Sequence, residues 1–437
     1  MPDSSEHTQN SLSEQKTNHW LQRLKDESWE AELLVSAIAI FGSFQLFKVV
    51  DWATNFFIDK LPANQYMIGY FIVFMGLLAV SILVSMFVIH FFLRAYWVGL
   101  VGLNSVYPEY GLEDSAYSKI YTEKILSILP KLKDSLTKVD RLCSVIFSAA
   151  FCLLLIYLYG SIMASVYLIV FNMLSKYIPE YILLIPAYFI ALVYIIQSIF
   201  TIISNLKKFK DNEKVQTLAF KVVKFASILM FGPLYKSLLQ ITMTFGSNFK
   251  KDKALVRLLL LFILSGMMVS VIQIRNTNIP YLISQDNMFN ATQTYSGYYQ
   301  TENESNNFLL SPEIASDIIQ SNTTRLFIPI FSHDEKFEEK VCKDPEIDEN
   351  ASELQQRMQK KTQYLECLST YNKVFLNNKE LNIDFLKYNH PKTNQFGVIG
   401  YVPLDIAKKG NNTITVKKAF EGEVFSEWNI PFYYSPK

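Results

Sequence analysis

Four polar side chains interrupt the long apolar runs of this sequence: Lys48, His90, Arg94 and Gln197. Burying an ionisable group in hydrocarbon is costly unless it is paired or wet, so these are the residues through which an ion or substrate path would show itself. Lys48 and Arg94 lie within about one turn of the ends of their runs, where an aliphatic stem carries the charge to the interface. His90 comes one turn before Arg94 and shares that level. Gln197 lies deeper, and a single amide there reads as an interhelical hydrogen bond. No run carries a central Asp or Glu, so proton- or cation-coupled transport is not expected.

Cys342 and Cys367 are the two cysteines of the carboxyl-terminal part. In an oxidising compartment such a pair forms a disulfide, here closing a loop of about 25 residues and contributing about 2–4 kcal/mol. Cys143 and Cys152 fall within an apolar run and read as small packing residues. His333-Asp334-Glu335 has ligand-type side chains, but consecutive loop residues point apart, so a solvated turn is expected. The other histidines are His7, His19, His90 and His390, and no two lie at metal-ligand spacing. The sequence lacks a phosphate loop, a dinucleotide-binding glycine fingerprint, a nucleophile elbow and a His-Glu-x-x-His pair. No catalytic residue, cofactor or metal is therefore expected, and the chain reads as non-enzymatic. Five sequons, at Asn290, Asn303, Asn322, Asn350 and Asn411, fit chance matches in a region rich in Asn, Ser and Thr.

The elements that must position these residues divide the chain in two. The 437 residues are 50% hydrophobic and 19% charged with a formal net charge of +1. A mean hydropathy of +0.15 excludes a disordered or fibrous chain. Residues 1–275 carry 25 Lys and Arg against 19 Asp and Glu, whereas the remainder carries 16 against 21. Runs near 31–50, 66–92, 142–171, 182–203 and 258–274 are long enough to cross a bilayer as helices. Trp29 and Trp52 bracket the first, where amphipathic indoles sit at the interface.

Orientation follows from where short loops hold Lys and Arg. Segments 93–141 and 204–257 are strongly basic, the latter with eleven Lys and Arg, while the alternate loops hold only Lys60 and Lys176. The amino terminus, with a disordered tail over 1–28, is then cytoplasmic, and five spans place everything after Arg275 outside. A sixth apolar segment, 225–245, carries Lys236, is broken at Gly232-Pro233 and is flanked by Lys on both sides. It reads as a hairpin on the cytoplasmic face. Amphipathic segments are thus expected at 118–141 and 205–254, against the bilayer surface. The basic residues here are topology determinants and lipid contacts, so nucleic-acid binding is not expected.

Residues 276–437 form a domain of ordinary size with short β-branched or aromatic runs at 325–331, 373–376, 381–386, 396–404 and 413–416. Turn clusters at Asn377-Asn378, His390-Pro391 and 408–412 separate them. A helix is expected over 351–368. The fold class is therefore α+β, a polytopic helical membrane domain followed by an extracytoplasmic β-sandwich-like domain with one helix. Such an asymmetric design fits an integral membrane protein whose outer domain binds an envelope partner or ligand, as scaffold, sensor or accessory subunit. The alternative is a channel or passive transport component capped by that domain. Small residues Gly76, Ala79, Ser81 and Ser85 allow close helix packing, within the chain or with a second copy.

Overall fold

Among the described residues, the apolar runs before Arg275 are helical. The computed structural model describes residues 33–108, 117–175, 177–249, 253–283, 294–301, 308–334, 338, 340–342 and 352–436. The tail at 1–28 and the sequons at Asn290, Asn303 and Asn350 lie outside the described residues. Helix α1 is Leu33–Lys60. A 3-10 turn at Ala63–Gln65 leads into α2, Tyr66–Val106. Then come α3 (Lys119–Ile128), α4 (Leu132–Leu174), α5 (Glu180–Leu183) and α6 (Ile185–Asn205). The set ends with α7 (Glu213–Phe231), α8 (Tyr235–Phe249) and α9 (Lys253–Ile274). Polar caps mark two starts: Ser118 accepts from Tyr121 N before α3, and Asn212 accepts from Lys214 N and Val215 N before α7.

Among the described residues, five helical stretches are long and apolar enough to cross a membrane: Leu33–Lys60, Ala63–Val106, Lys119–Leu174, Glu180–Asn205 and Glu213–Thr244. The number equals the expectation and the membership differs. Glu213–Thr244 qualifies by length and composition although its sequence reads as a surface hairpin. The run expected at 258–274 lies within α9, where Leu260–Ile274 counts as a shorter apolar helix.

The chain divides into two compact units. One comprises Met1–Val50 and Phe74–Asn276, the other Asp51–Val73 and Thr277–Lys437. In the first, Leu83, Met86 and Phe87 of α2 share a core with Ile146 and Ala150 of α4 and Phe262 of α9. A Cβ added to Gly266 would stand 2.9 Å from the backbone of Ile82, so α2 and α9 touch backbone to backbone. Gly232, at φ +48°, breaks the α7–α8 hairpin, and a Cβ there would meet the Tyr159 hydroxyl at 2.8 Å. Backbone angle and close approach both require glycine at that point.

Helices α2 and α4, with 41 and 43 residues, run about 60 Å at about 1.5 Å per residue, roughly twice a hydrocarbon core of about 30 Å. An ion pair joins them: Arg94 Nη1 donates to Asp140 Oδ1 at 2.7 Å. Arg94 does not reach water as its position near a run's end implied; it is 1% exposed and its guanidinium lies 4.8 Å from the Trp97 ring. An acidic partner on another helix overrides snorkelling because it neutralises the charge in place.

The second unit holds two sheets. The strands are β1 (Glu313–Ile314), β2 (Ile318–Ile319), β3 (Thr323–Pro329), β4 (Asn372–Leu376) and β5 (Lys379–Leu381). They continue as β6 (Leu386–Asn389), β7 (Phe396–Pro403), β8 (Gly410–Phe420) and β9 (Glu423–Tyr434). One sheet has the order β1-β3-β7-β6 and the other β2-β9-β8-β4-β5. A helix, α10 (Glu353–Tyr371), starts with a capping box between Ser352 and Gln355. A single buried core draws on both sheets and on α10: Leu326 and Val398 from the first sheet, Val374, Ile414 and Ile430 from the second, and Leu368. Asn377 and Asn378, at φ +50° and +67°, make the two-residue turn of the β4–β5 hairpin.

The pairing of Arg94 with Asp140 has a measurable consequence. Arg94→Met should lower the melting temperature of the purified protein, and adding Asp140→Leu should recover part of the loss. Leaving one partner of a buried pair alone costs about 3–5 kcal/mol; the cost is smaller here because Asp140 is 31% exposed. A single variant that melts with the wild type would contradict the pairing.

Candidate functional site

The second unit takes in Asp51–Val73, the turn between α1 and α2 and the helix ends beside it, together with the sheet-rich region. Asp59 is the joint. Its Oδ1 accepts from the Ser332 amide at 2.9 Å and its Oδ2 from the Ser332 hydroxyl at 2.7 Å. Lys60 Nζ donates to the same hydroxyl oxygen at 2.6 Å and stands 3.4 Å from Asp59 Oδ2. The His333 ring lies 3.2 Å from the Asp59 carbonyl through Nδ1, stacks on Phe331 and meets Tyr66 edge-on. Asn278 Nδ2 adds a bond to Asn55 Oδ1 at 2.9 Å.

Beside this joint opens a cleft of about 640 Å³. Asp59, Lys60 and Ser332 form one wall. Phe308, Phe331 and Phe396 supply aromatic surface, and Glu338, Tyr364, Asn394 and Gln395 supply polar groups. The polar groups are held in place. Glu338 accepts from Tyr371 Oη at 2.7 Å and Tyr364 Oη at 3.2 Å. Burial, reinforced by that carboxylate, drives the Tyr371 hydroxyl far above the usual phenol range, so it stays a donor. The Gln395 amide pairs with both backbone groups of Leu309, at 2.6 and 3.0 Å. The Lys387 ammonium sits 4.1 Å from the centre of the Tyr364 ring, and burial, followed by the nearby Lys361 charge, lowers its pKa. A cleft of this volume suits a small ligand or a short chain segment.

Two buried charge sets brace the walls. Lys418 Nζ donates to Asp334 Oδ2 at 2.5 Å and lies 5.2 Å from the Phe331 ring centre and 5.7 Å from that of Trp428. Asp334 Oδ2 also accepts from Phe331 N at 3.0 Å. Behind the Thr393–Phe396 wall, His390 Nε2 stands 3.1 Å from Glu313 Oε2, with both side chains nearly fully buried. Thr393 N donates to His390 Nδ1, so Nε2 carries the proton that faces Glu313. Burial raises the Glu313 pKa to about 7 against the opposing pull of Arg325 and Lys392, and burial lowers that of His390.

The residues picked from sequence fall elsewhere. Lys48 is exposed. His90 accepts or donates at Nδ1 to the Ser36 hydroxyl at 2.7 Å, and Arg94 pairs with Asp140. Gln197, on α6, shares no hydrogen bond with any of these among the described residues, and its Oε1 is buried without a partner there. The four do not form one site. Cys342 and Cys367 lie at disulfide distance, with Cα atoms 5.5 Å apart. The His333-Asp334 turn is not solvated: Asp334 is buried and ion-paired, and burial lowers the His333 pKa. Glu335 lies outside the described residues. No group of three or more His, Cys, Asp or Glu positioned to hold a metal occurs among the described residues. The cleft residues Asp59, Ser332, Glu338 and Tyr364 went unpicked; the one signal in the sequence was the charged Asp59-Lys60 pair in a very short loop. Comparison with protein-family models, curated proteins and solved structures finds no match to this chain.

The raised Glu313 pKa fixes the sign of a pH effect. A carboxyl with a folded pKa above its unfolded value adds stability fully present below about pH 4.5 and lost as pH rises through about 7. His390, lowered, acts oppositely, adding stability present above about 6.5 and lost as pH falls through its lower folded value. Glu313→Gln should remove the first component, so that its melting temperature falls less than the wild type's between pH 5 and about 7.5. Parallel melting profiles for the two proteins would contradict this assignment.

Proposed function

We propose that this chain is an integral membrane protein with a cytoplasmic amino terminus, whose second unit lies outside and binds a ligand in the cleft beside Asp59. The two sheets are read as the layers of a sandwich, since one core takes side chains from both. The observation that carries the proposal is the Asp59–Ser332 joint. It links the last turn of α1 to a residue 273 positions later, so both lie on one side of any bilayer that α1 crosses. The chain between them must then cross an even number of times. Helices α2, α4, α6 and α9 make four crossings, and α7–α8 enters and leaves on one side. The same arrangement puts the basic segments 93–141 and 204–257 in the cytoplasm, as the distribution of Lys and Arg requires.

Function follows from who builds the cleft. Its walls come from the sheet-rich region and from the end of α1, so an occupant contacts both the outer domain and a membrane helix. This is the arrangement of a sensor or accessory subunit rather than of an isolated binding module. Aromatic faces with carboxylate, amide and hydroxyl edges suit a small polar ligand carrying an apolar part.

Thermal-shift screening of the purified full chain tests the proposal. A ligand at about 100 times its Kd stabilises by about 2.7 kcal/mol, which raises the melting temperature by roughly 5–10 °C for a domain of this size. Tyr364→Ala should abolish that shift, and Lys60→Ala should weaken it. Hits that stabilise the wild type and Tyr364→Ala equally would contradict the site.

A further inference from the structure

Lys418 occupies a core position. It follows Ile414 and Val416 at period two along β8, on the face that points into the core, and like them it is buried. The rings of Phe331 and Trp428 flank its Nζ, with centres at 5.2 and 5.7 Å. Nζ donates to the Asp334 carboxylate at 2.5 Å and to the Pro329 carbonyl at 3.3 Å. Asp334, in the 3-10 turn Ser332–Asp334, is buried too. An amine and a carboxyl group held in contact and away from water are the two halves of an amide bond.

The groups around the pair stand where condensation needs them. Phe331 N donates to Asp334 Oδ2 at 3.0 Å, the place of a hydrogen bond that steadies an oxygen as it takes up charge. His333 Nε2 stands 3.7 Å from the other oxygen, Oδ1. Nδ1 of the same ring faces the Asp59 carbonyl at 3.2 Å; a carbonyl only accepts, so Nδ1 carries the proton and Nε2 presents its lone pair toward Oδ1. Burial lowers the His333 pKa, which keeps the ring neutral and open to a proton at neutral pH.

We propose that Lys418 and Asp334 condense into an intramolecular amide bond, with His333 as the proton relay. The ammonium passes one proton to the carboxyl group along their hydrogen bond, which neutralises both. The amine lone pair then attacks Asp334 Cγ and forms the C–N bond. His333 Nε2 takes up a proton shed by the nitrogen and delivers it to Oδ1; the Cγ–Oδ1 bond breaks and Oδ1 leaves as water. Oδ2, held by Phe331 N, remains as the amide oxygen. The water takes its two hydrogens from the ammonium and its oxygen from the carboxylate, so the step needs no oxidant, cofactor or second substrate. Condensation removes two charges that burial has taken out of water. The bond joins β8 of one sheet to the turn that follows β3 of the other.

Intact mass spectrometry of the purified full-length protein tests the proposal, after denaturation and reduction of the Cys342–Cys367 pair. The wild type should be lighter than its sequence by one water, whereas Lys418→Ala and Asp334→Ala should each match their own sequence. Trypsin should leave residues 326–336 joined to residues 418–437 as one branched peptide, uncut after Lys418. His333→Asn, whose amide still donates to the Asp59 carbonyl, should leave most of the protein at full sequence mass. A wild type at full sequence mass, a water loss that persists in Lys418→Ala, or a loss that maps to another peptide would overturn the bond. Full conversion in His333→Asn would overturn the relay.

Discussion

The carboxylate of Asp59 is the constraint from which the rest follows. It stands at the last turn of α1, where a charge has left the apolar run, and it receives two hydrogen bonds from Ser332, just beyond β3. Hydrogen bonds to a charged acceptor are worth more than neutral ones, about 1.5–3 kcal/mol each. Here they tie the end of one long apolar helix to the edge of the sheet-rich region. The tie builds one wall of the cleft beside it and orients the His333 ring between Phe331 and Tyr66.

Ionisable pairs recur at several places where the fold joins distant segments. Arg94 meets Asp140 between α2 and α4, Lys418 meets Asp334 between β8 and the turn after β3, and Glu313 faces His390 between β1 and the β6–β7 turn. Desolvation offsets much of the Coulomb gain in such pairs, so they contribute little net stability. Their effect is geometric. An apolar contact tolerates sliding, whereas a carboxyl group facing one ammonium, guanidinium or imidazole N–H does not. In a chain that is half hydrophobic by type, these pairs select which apolar surfaces meet.

Much of the helical architecture was legible because the length and apolarity of a run are local properties. The strands were legible where β-branched and aromatic residues cluster between turns, as at Phe396–Pro403. Strand β9 was missed, since Pro431 interrupts it. Its partner Thr413 directs its backbone N–H and carbonyl to Asn377, so Pro431 faces it without needing an N–H. The run expected at 381–386 proved to be the connection between β5 and β6. The site was the least legible part. Asp59, Ser332, Glu338 and Tyr364 carry no spacing pattern; they meet only because Ser332 folds back onto Asp59, 273 positions earlier. His333-Asp334 misled for a related reason, because the burial of Asp334 depends on Lys418, 84 positions away.

The central claim is that the turn after α1 and the sheet-rich region share one side, with α7–α8 entering and leaving on the other. Labelling of intact cells with a membrane-impermeant maleimide tests it most directly, using single cysteines placed in a chain carrying Cys143→Ala and Cys152→Ala. Ala63→Cys and Lys409→Cys should label from outside, while Asp211→Cys and Lys251→Cys should label only after the membrane is permeabilised. Labelling of Lys251→Cys in intact cells, with Asp211→Cys protected, would mean that α7–α8 crosses and would contradict the account.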